Sequence, residues 1–210
     1  VIDFRLYFVT DRHQTAGRPL ADVVHAALDG GVQAVQLREK DLAGGPLYHL
    51  AESLRHLTDR YRARLLINDR IDVALAVGAD GVHLGQGSFP VATARRLLGA
   101  DKLIGVSTHS GAEIAAALGA DFVVFGPVYF TPSKAAYGEP QGLERLRQAV
   151  TASDTPVFAI GGIKSEHVAE VLATGAHGIA VISAISGAPD PARAARALLA
   201  LLPPGGGIDD

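Results

Sequence analysis

Four times along this chain a helix-like run stops at glycine, passes two or three small or polar residues, and enters an apolar strand. The segments are ALDGGVQAVQLR (27–38), AVGADGVHLG (76–85), ALGADFVVFG (117–126) and LATGAHGIAVIS (172–183). Glycine just past a helix supplies the left-handed backbone that ends it. Strands rich in Val, Ile and Phe on both parities need helices over both faces. A recurring joint of this kind reads as repeated β/α units.

Further strands are expected at RLYFVT (5–10), RLLIN (64–68), KLIGVS (102–107) and TPVFAI (155–160), which brings the total to eight. Helical runs fall near 19–29, 45–61, 70–77, 90–98, 110–118, 142–151, 164–174 and 189–201. The pattern predicts an α/β fold, a single-domain (β/α)8 TIM barrel over residues 1–202, followed by a disordered tail, PPGGGIDD (203–210). An open doubly wound sheet is the alternative, because sequence does not show closure.

Composition narrows the function classes. Hydrophobic residues form 48% of the 210, ample for a core, yet no apolar run is long enough to span a membrane. No basic segment followed by an apolar one suggests a secretory signal, so a cytoplasmic location and no membrane partner are expected. The absence of Cys removes disulfides, thiolate metal sites and cysteine nucleophiles together. A net charge of −3 without a basic stripe argues against a nucleic-acid partner. An anionic ligand must therefore meet a local cluster of donors. A homo-oligomer stays open.

In VQLREK (35–40), Gln36, Arg38 and Lys40 occupy every second position. Alternate strand residues share a face, so the trio reads either as a charged edge strand or as the lining of a barrel mouth. Other polar residues gather at the same strand ends: Asn68 and Asp69, His83 and Gln86, Ser107 and His109, then Thr131, Ser133 and Lys134. Ligands of β/α barrels bind there. Buried in a mouth, the trio would be costly without partners or ligand.

GGI (161–163) and VISAIS (181–186) follow strands seven and eight, where this fold binds phosphate on backbone N–H groups and a short helix N-terminus. A simple tight turn is the alternative for the two glycines. TPSK (131–134) opens a long connection with two hydroxyls and a Lys, suited to a more highly charged anion such as diphosphate, or else a solvated loop. Asp69 could contact Mg2+ or cap the helix near Ile71. His83 reads as a packed histidine or a site residue, and His109 as a proton shuttle or a helix-start residue. The polar first loop, TDRHQTAGRP, is assigned no role.

Taken in order, QLREK, NDR, GVHLGQ, GVSTH, FGPVYFTPSK, AIGGI and VISAIS resemble the thiamine-phosphate synthase family and its close relative, the thiazole tautomerase. The resemblance covers almost the whole chain. It implies small phosphorylated substrates: a hydroxymethylpyrimidine diphosphate held by Gln36, Arg38, Lys40 and Asn68, and a thiazole phosphate at Gly162, Ile182 and Ser183. Ser107 and Lys134 would lie near the reacting groups, with Thr131 and Ser133 beside the diphosphate and Asp69 on Mg2+. Arg38, Ser107, Lys134 and His109 are the expected catalytic residues.

One departure stands out. The family usually carries a second magnesium-binding acid after GVHLGQ, whereas this chain reads GQGSFP and places Ser88 there. Tautomerase relatives relax this metal site and use a histidine at the position of His109. The resemblance therefore leaves three activities: the synthase, an isomerase acting on thiazole carboxylate phosphate, and a non-catalytic binder of phosphate ligands.

Overall fold

The four glycine joints take the left-handed backbone expected of them: φ is 96° at Gly31, 65° at Gly78, and 89° at both Gly119 and Gly175. The computed structural model describes residues 2–131 and 139–204. Its strands are β1 (Leu6–Val9), β2 (Ala34–Leu37), β3 (Arg64–Asn68), β4 (Gly81–Leu84), β5 (Leu103–Thr108), β6 (Phe122–Phe125), β7 (Val157–Ile160) and β8 (Gly178–Val181). Each pairs in parallel with the next, and β8 pairs with β1 through Tyr7 opposite Ala180. That last pairing closes the barrel and eliminates the open sheet.

The helices between them are α1 (Leu20–Asp29), α2 (Gly44–Arg60), α3 (Ile71–Ala76), α4 (Val91–Leu98), α5 (Gly111–Ala116), α6 (Gly142–Thr151), α7 (Val168–Leu172), α8 (Ser183–Ser186) and α9 (Pro191–Leu199). The helix expected near 164–174 is split into a 3-10 turn, Ser165–His167, and α7. VISAIS contains the short α8, which opens directly after β8. Leu202 is buried, while residues 205–210 of the expected tail lie outside the described residues. None of the described helices is long and apolar enough to cross a membrane.

Two of the joints read GAD, and their acids do the same work. Asp80 accepts the Leu65 N–H at 2.7 Å and Arg55 Nη1 at 2.5 Å. Asp121 accepts the Ile104 N–H at 2.7 Å and Arg95 Nη2 at 2.6 Å. Each carboxylate thus ties the start of its strand to the preceding strand and to the helix that leads into that preceding strand, α2 for Asp80 and α4 for Asp121.

Alternation sorts the core into two layers. Leu6 and Phe8 face the helices, while Tyr7 and Val9 face the barrel interior. Phe4, Tyr7, Phe122 and Phe158 fill that interior with ring centroids 5.2–5.6 Å apart across five of their contacts. Glycine makes room for the rings. A Cβ on Gly105 would stand 2.4 Å from Phe122 Cζ and 2.7 Å from His83 Nδ1. With the interior plugged by aromatics, the polar inward residues collect at the opposite, C-terminal ends of the strands.

Candidate active site

Those ends surround a cavity of about 770 Å3. Gln36 enters it from β2 and is buried, and its Nε2 donates to Asn68 Oδ1 at 2.9 Å. Arg38 and Lys40 also line it, but both lie past Leu37, where β2 ends. Strand alternation therefore accounts for Gln36 alone. Arg38 is fixed through its backbone N–H, which donates to Thr10 Oγ1 at 2.9 Å.

His83 and Ser107 face the cavity from β4 and β5, with His83 Nε2 2.9 Å from Ser107 Oγ. Tyr7 Oη lies 3.5 Å from the other ring nitrogen. Burial drives the His83 pKa down to about 3, so the ring is neutral at pH 7. Burial likewise raises the Tyr7 pKa, which keeps its hydroxyl protonated. With Tyr7 donating to Nδ1, the ring donates from Nε2 to Ser107 Oγ and leaves the serine proton for the cavity.

Asp69 and Ser88 meet, as their sequence positions suggest, but as a hydrogen-bonded pair. The Ser88 hydroxyl donates to Asp69 Oδ1, which also accepts the Gly85 N–H at 3.2 Å. Asn68 Nδ2 donates to Oδ2 at 2.7 Å. The helix-cap reading of Asp69 is incorrect: Arg70 holds the cap position of α3, and no side chain caps that helix. Asp69 has φ 59°, and its carboxylate turns toward Gly85 and Ser88. Among the described residues no group of three or more His, Asp or Glu side chains could hold a metal. What is present is one carboxylate and one hydroxyl, a set that fits Mg2+ only if most oxygens come from substrate and water.

His109 lines the cavity just past β5, and its Nδ1 lies 3.0 Å from Glu113 Oε2. The His109 N–H donates to the same oxygen at 2.8 Å, and Gln86 Nε2 donates to Oε1 at 2.9 Å. Burial tends to raise the Glu113 pKa, but these bonds outweigh it and hold the carboxyl below its ordinary value. Glu113 was not singled out from sequence. Its signal was the S-x-x-E spacing of Ser110 and Glu113, a helix-start signature, and Ser110 does accept the Glu113 N–H at 3.3 Å.

The far wall comes from β6, β7 and β8. Thr131, Gly162, Ile182 and Ser183 line the cavity, with Ser183 as the first residue of α8. Gly161 and Gly162 have φ of 101° and 65°. Their lack of side chains has a packing reason too. A Cβ on Gly161 would come 2.5 Å from Pro127, and one on Gly162 would come 2.6 Å from the Phe130 carbonyl. The pair thus seats the loop that leads to Thr131. Ser133 and Lys134 lie outside the described residues. Asp11, Gln14 and Lys164 also line the cavity, although nothing in their spacing marked them.

The closed barrel, with its cavity at the C-terminal ends of the strands, defines a (β/α)8 barrel protein with a site in the place where this fold binds its ligands. A family model described as thiamine monophosphate synthase matches residues 6–185. The chain is 61% identical over 205 residues to a Geobacter sulfurreducens protein provisionally named a thiamine-phosphate synthase, covering 97% of this chain and 96% of the other. It is 47% identical to the thiamine-phosphate synthase of Clostridium novyi over 186 residues, covering 88% of this chain and 91% of that one. The thiamine phosphate pyrophosphorylase structure from Pyrococcus furiosus superposes with a TM-score of 0.85 at 41% identity, over 94% of each chain. The chain belongs to the thiamine monophosphate synthase family.

Proposed function

We propose that this cavity joins hydroxymethylpyrimidine diphosphate to thiazole phosphate, giving thiamine phosphate and diphosphate. On this reading the chain is an enzyme, a transferase of thiamine biosynthesis acting in the cytoplasm on small phosphorylated substrates. The observation that carries the reading is one cavity of a family member lined both by Arg38 and Lys40 of the β2 loop and by Gly162 and Ser183 after β7 and β8.

The pyrimidine's carbon–oxygen bond breaks, the aminopyrimidine ring stabilises the resulting cation, and the thiazole nitrogen captures it. No protein nucleophile is needed. The chain's work is to position two substrates and to stabilise charge developing on the leaving diphosphate. Arg38 and Lys40 supply the opposing positive charge from the β2 loop, joined by Lys134 and by the hydroxyls of Thr131 and Ser133. Gln36 and Asn68 hold the pyrimidine end, and Ser107 donates toward the reacting groups. Asp69 and Ser88 would hold Mg2+, which would neutralise part of the diphosphate's charge.

Two substitutions test the assignment of ends. Arg38→Ala should raise the KM for the pyrimidine diphosphate and cut kcat/KM by about a hundredfold or more, as loss of one transition-state donor does. Ser183→Gly should raise the KM for thiazole phosphate and leave that for the pyrimidine diphosphate near its parent value. A reversed pattern would overturn the assignment.

A further inference from the structure

The two cations of the β2 loop alternate with two acids, in the order Arg38, Glu39, Lys40, Asp41. Left free, those carboxylates would pair with the cations or oppose the field they present to an anion. The structure gives both acids other partners, and all of these come from the first loop.

Glu39 is almost fully buried, with its side chain 1% exposed. Thr10 Oγ1 donates to its Oε1 at 2.6 Å, and the Arg12 N–H and Nη1 donate to its Oε2 at 3.1 and 3.2 Å. Asp41 accepts Arg12 Nη1 at 2.5 Å and Nη2 at 2.7 Å, one on each oxygen, and lies 2.9 Å from His13 Nε2. Hydrogen bonds from Arg12 and then His13 hold the Asp41 carboxyl well below the ordinary range. Thr10, which binds Glu39, also accepts the Arg38 N–H. Among the described residues neither Arg38 nor Lys40 has an ion-pair partner.

We propose that Arg12 is a positioning residue for the diphosphate end of the site: it withdraws Glu39 and Asp41 from Arg38 and Lys40, leaving those cations to the substrate's polyphosphate group. The inference deepens the synthase reading and rests on it for the identity of the substrate. Arg12 acts through its neighbours: its guanidinium is spent on the two acids. A guanidinium suits the task because its planar fork serves two carboxylates at once, which a lysine ammonium does less well.

The test titrates inorganic diphosphate into the parent, Arg12→Ala, Arg12→Lys and the Arg12→Ala/Asp41→Asn double variant, and measures both KM values beside thermal melting. Arg12→Ala should weaken diphosphate binding and raise the KM for the pyrimidine diphosphate by about tenfold or more, while the KM for thiazole phosphate changes less than about twofold. Arg12→Lys should fall between. Removing Asp41's charge in the double variant should recover a substantial part of the lost affinity, which a purely structural loss would not allow. Parent-like diphosphate affinity in Arg12→Ala would overturn the proposal. Equal loss at both substrates without recovery in the double variant would do the same. If Arg12→Ala does not fold, parent-like affinity in Arg12→Lys decides against it. A parent that binds diphosphate but makes no thiamine phosphate would sink the synthase reading instead, and the diphosphate titration would still report on Arg12.

Discussion

The Ser88 hydroxyl donates to Asp69 Oδ1, so the position where the family pattern places a second acid is used here to bind the first. This pairing has a consequence for Mg2+. With a single carboxylate, the ion should arrive largely on the diphosphate and bind the free protein weakly.

Ser88→Asp should therefore lower the Mg2+ concentration needed for half-maximal diphosphate release, against the repulsion of two adjacent acids before metal binds. A magnesium titration of parent and variant checks this. An unchanged requirement in an active enzyme would show that Ser88 does not stand at a metal-binding position.

His83 makes stability depend on pH. Its folded pKa lies near 3 and its ordinary value is 6.5, so between them the unfolded chain takes up a proton that the folded chain refuses. Stability is thus intact above about pH 6.5 and falls as pH drops toward 3. From this group alone the loss between pH 8 and 5 should be about 2 kcal/mol. Denaturant unfolding at both pH values should show that much less loss for His83→Gln than for the parent. Identical losses would mean that His83 is not buried as a neutral ring.

His109 lines the cavity while Glu113 holds its Nδ1. Proton transfer is not required for the proposed ionisation, so His109→Ala and Glu113→Gln should each lower kcat by less than about tenfold. A general acid or base would cost about 10²–10⁴-fold. A loss in that range, measured in single-turnover experiments, would place the pair in the chemical step.

Gly105 tests the packing beneath the site. Its missing Cβ is the space used by Phe122 and His83. Gly105→Ala should destabilise the barrel by about 1–3 kcal/mol through overpacking. It should also weaken substrate binding by displacing His83 from Ser107. An unchanged unfolding midpoint would contradict this packing.

The barrel was legible because its joints repeat: glycine, small linker and doubly buried strand recur with a physical reason at each step, and β2, β4, β6 and β8 surfaced from that logic. Closure was not legible, since it rests on β8 meeting β1 far away in sequence. At the site, strand parity placed Gln36 correctly. Arg38 and Lys40 line the cavity as expected, but not by strand parity, because β2 ends at Leu37 and loop contacts take over. Local spacing suggested a helix cap for Asp69, but its positive φ and the nearby Gly85 and Ser88 give the carboxylate a tertiary role instead. Arg12 carried no signal at all, as its partners Glu39 and Asp41 are brought to it only by the pairing of β1 with β2.

The central claim is tested most directly by incubating the protein with both substrates and Mg2+, then quantifying thiamine phosphate and diphosphate together. The account predicts equimolar formation of the two products, with neither formed when one substrate is omitted. Saturable binding of the substrates with no thiamine phosphate, or isomerisation of a thiazole carboxylate phosphate as the only reaction, would contradict it.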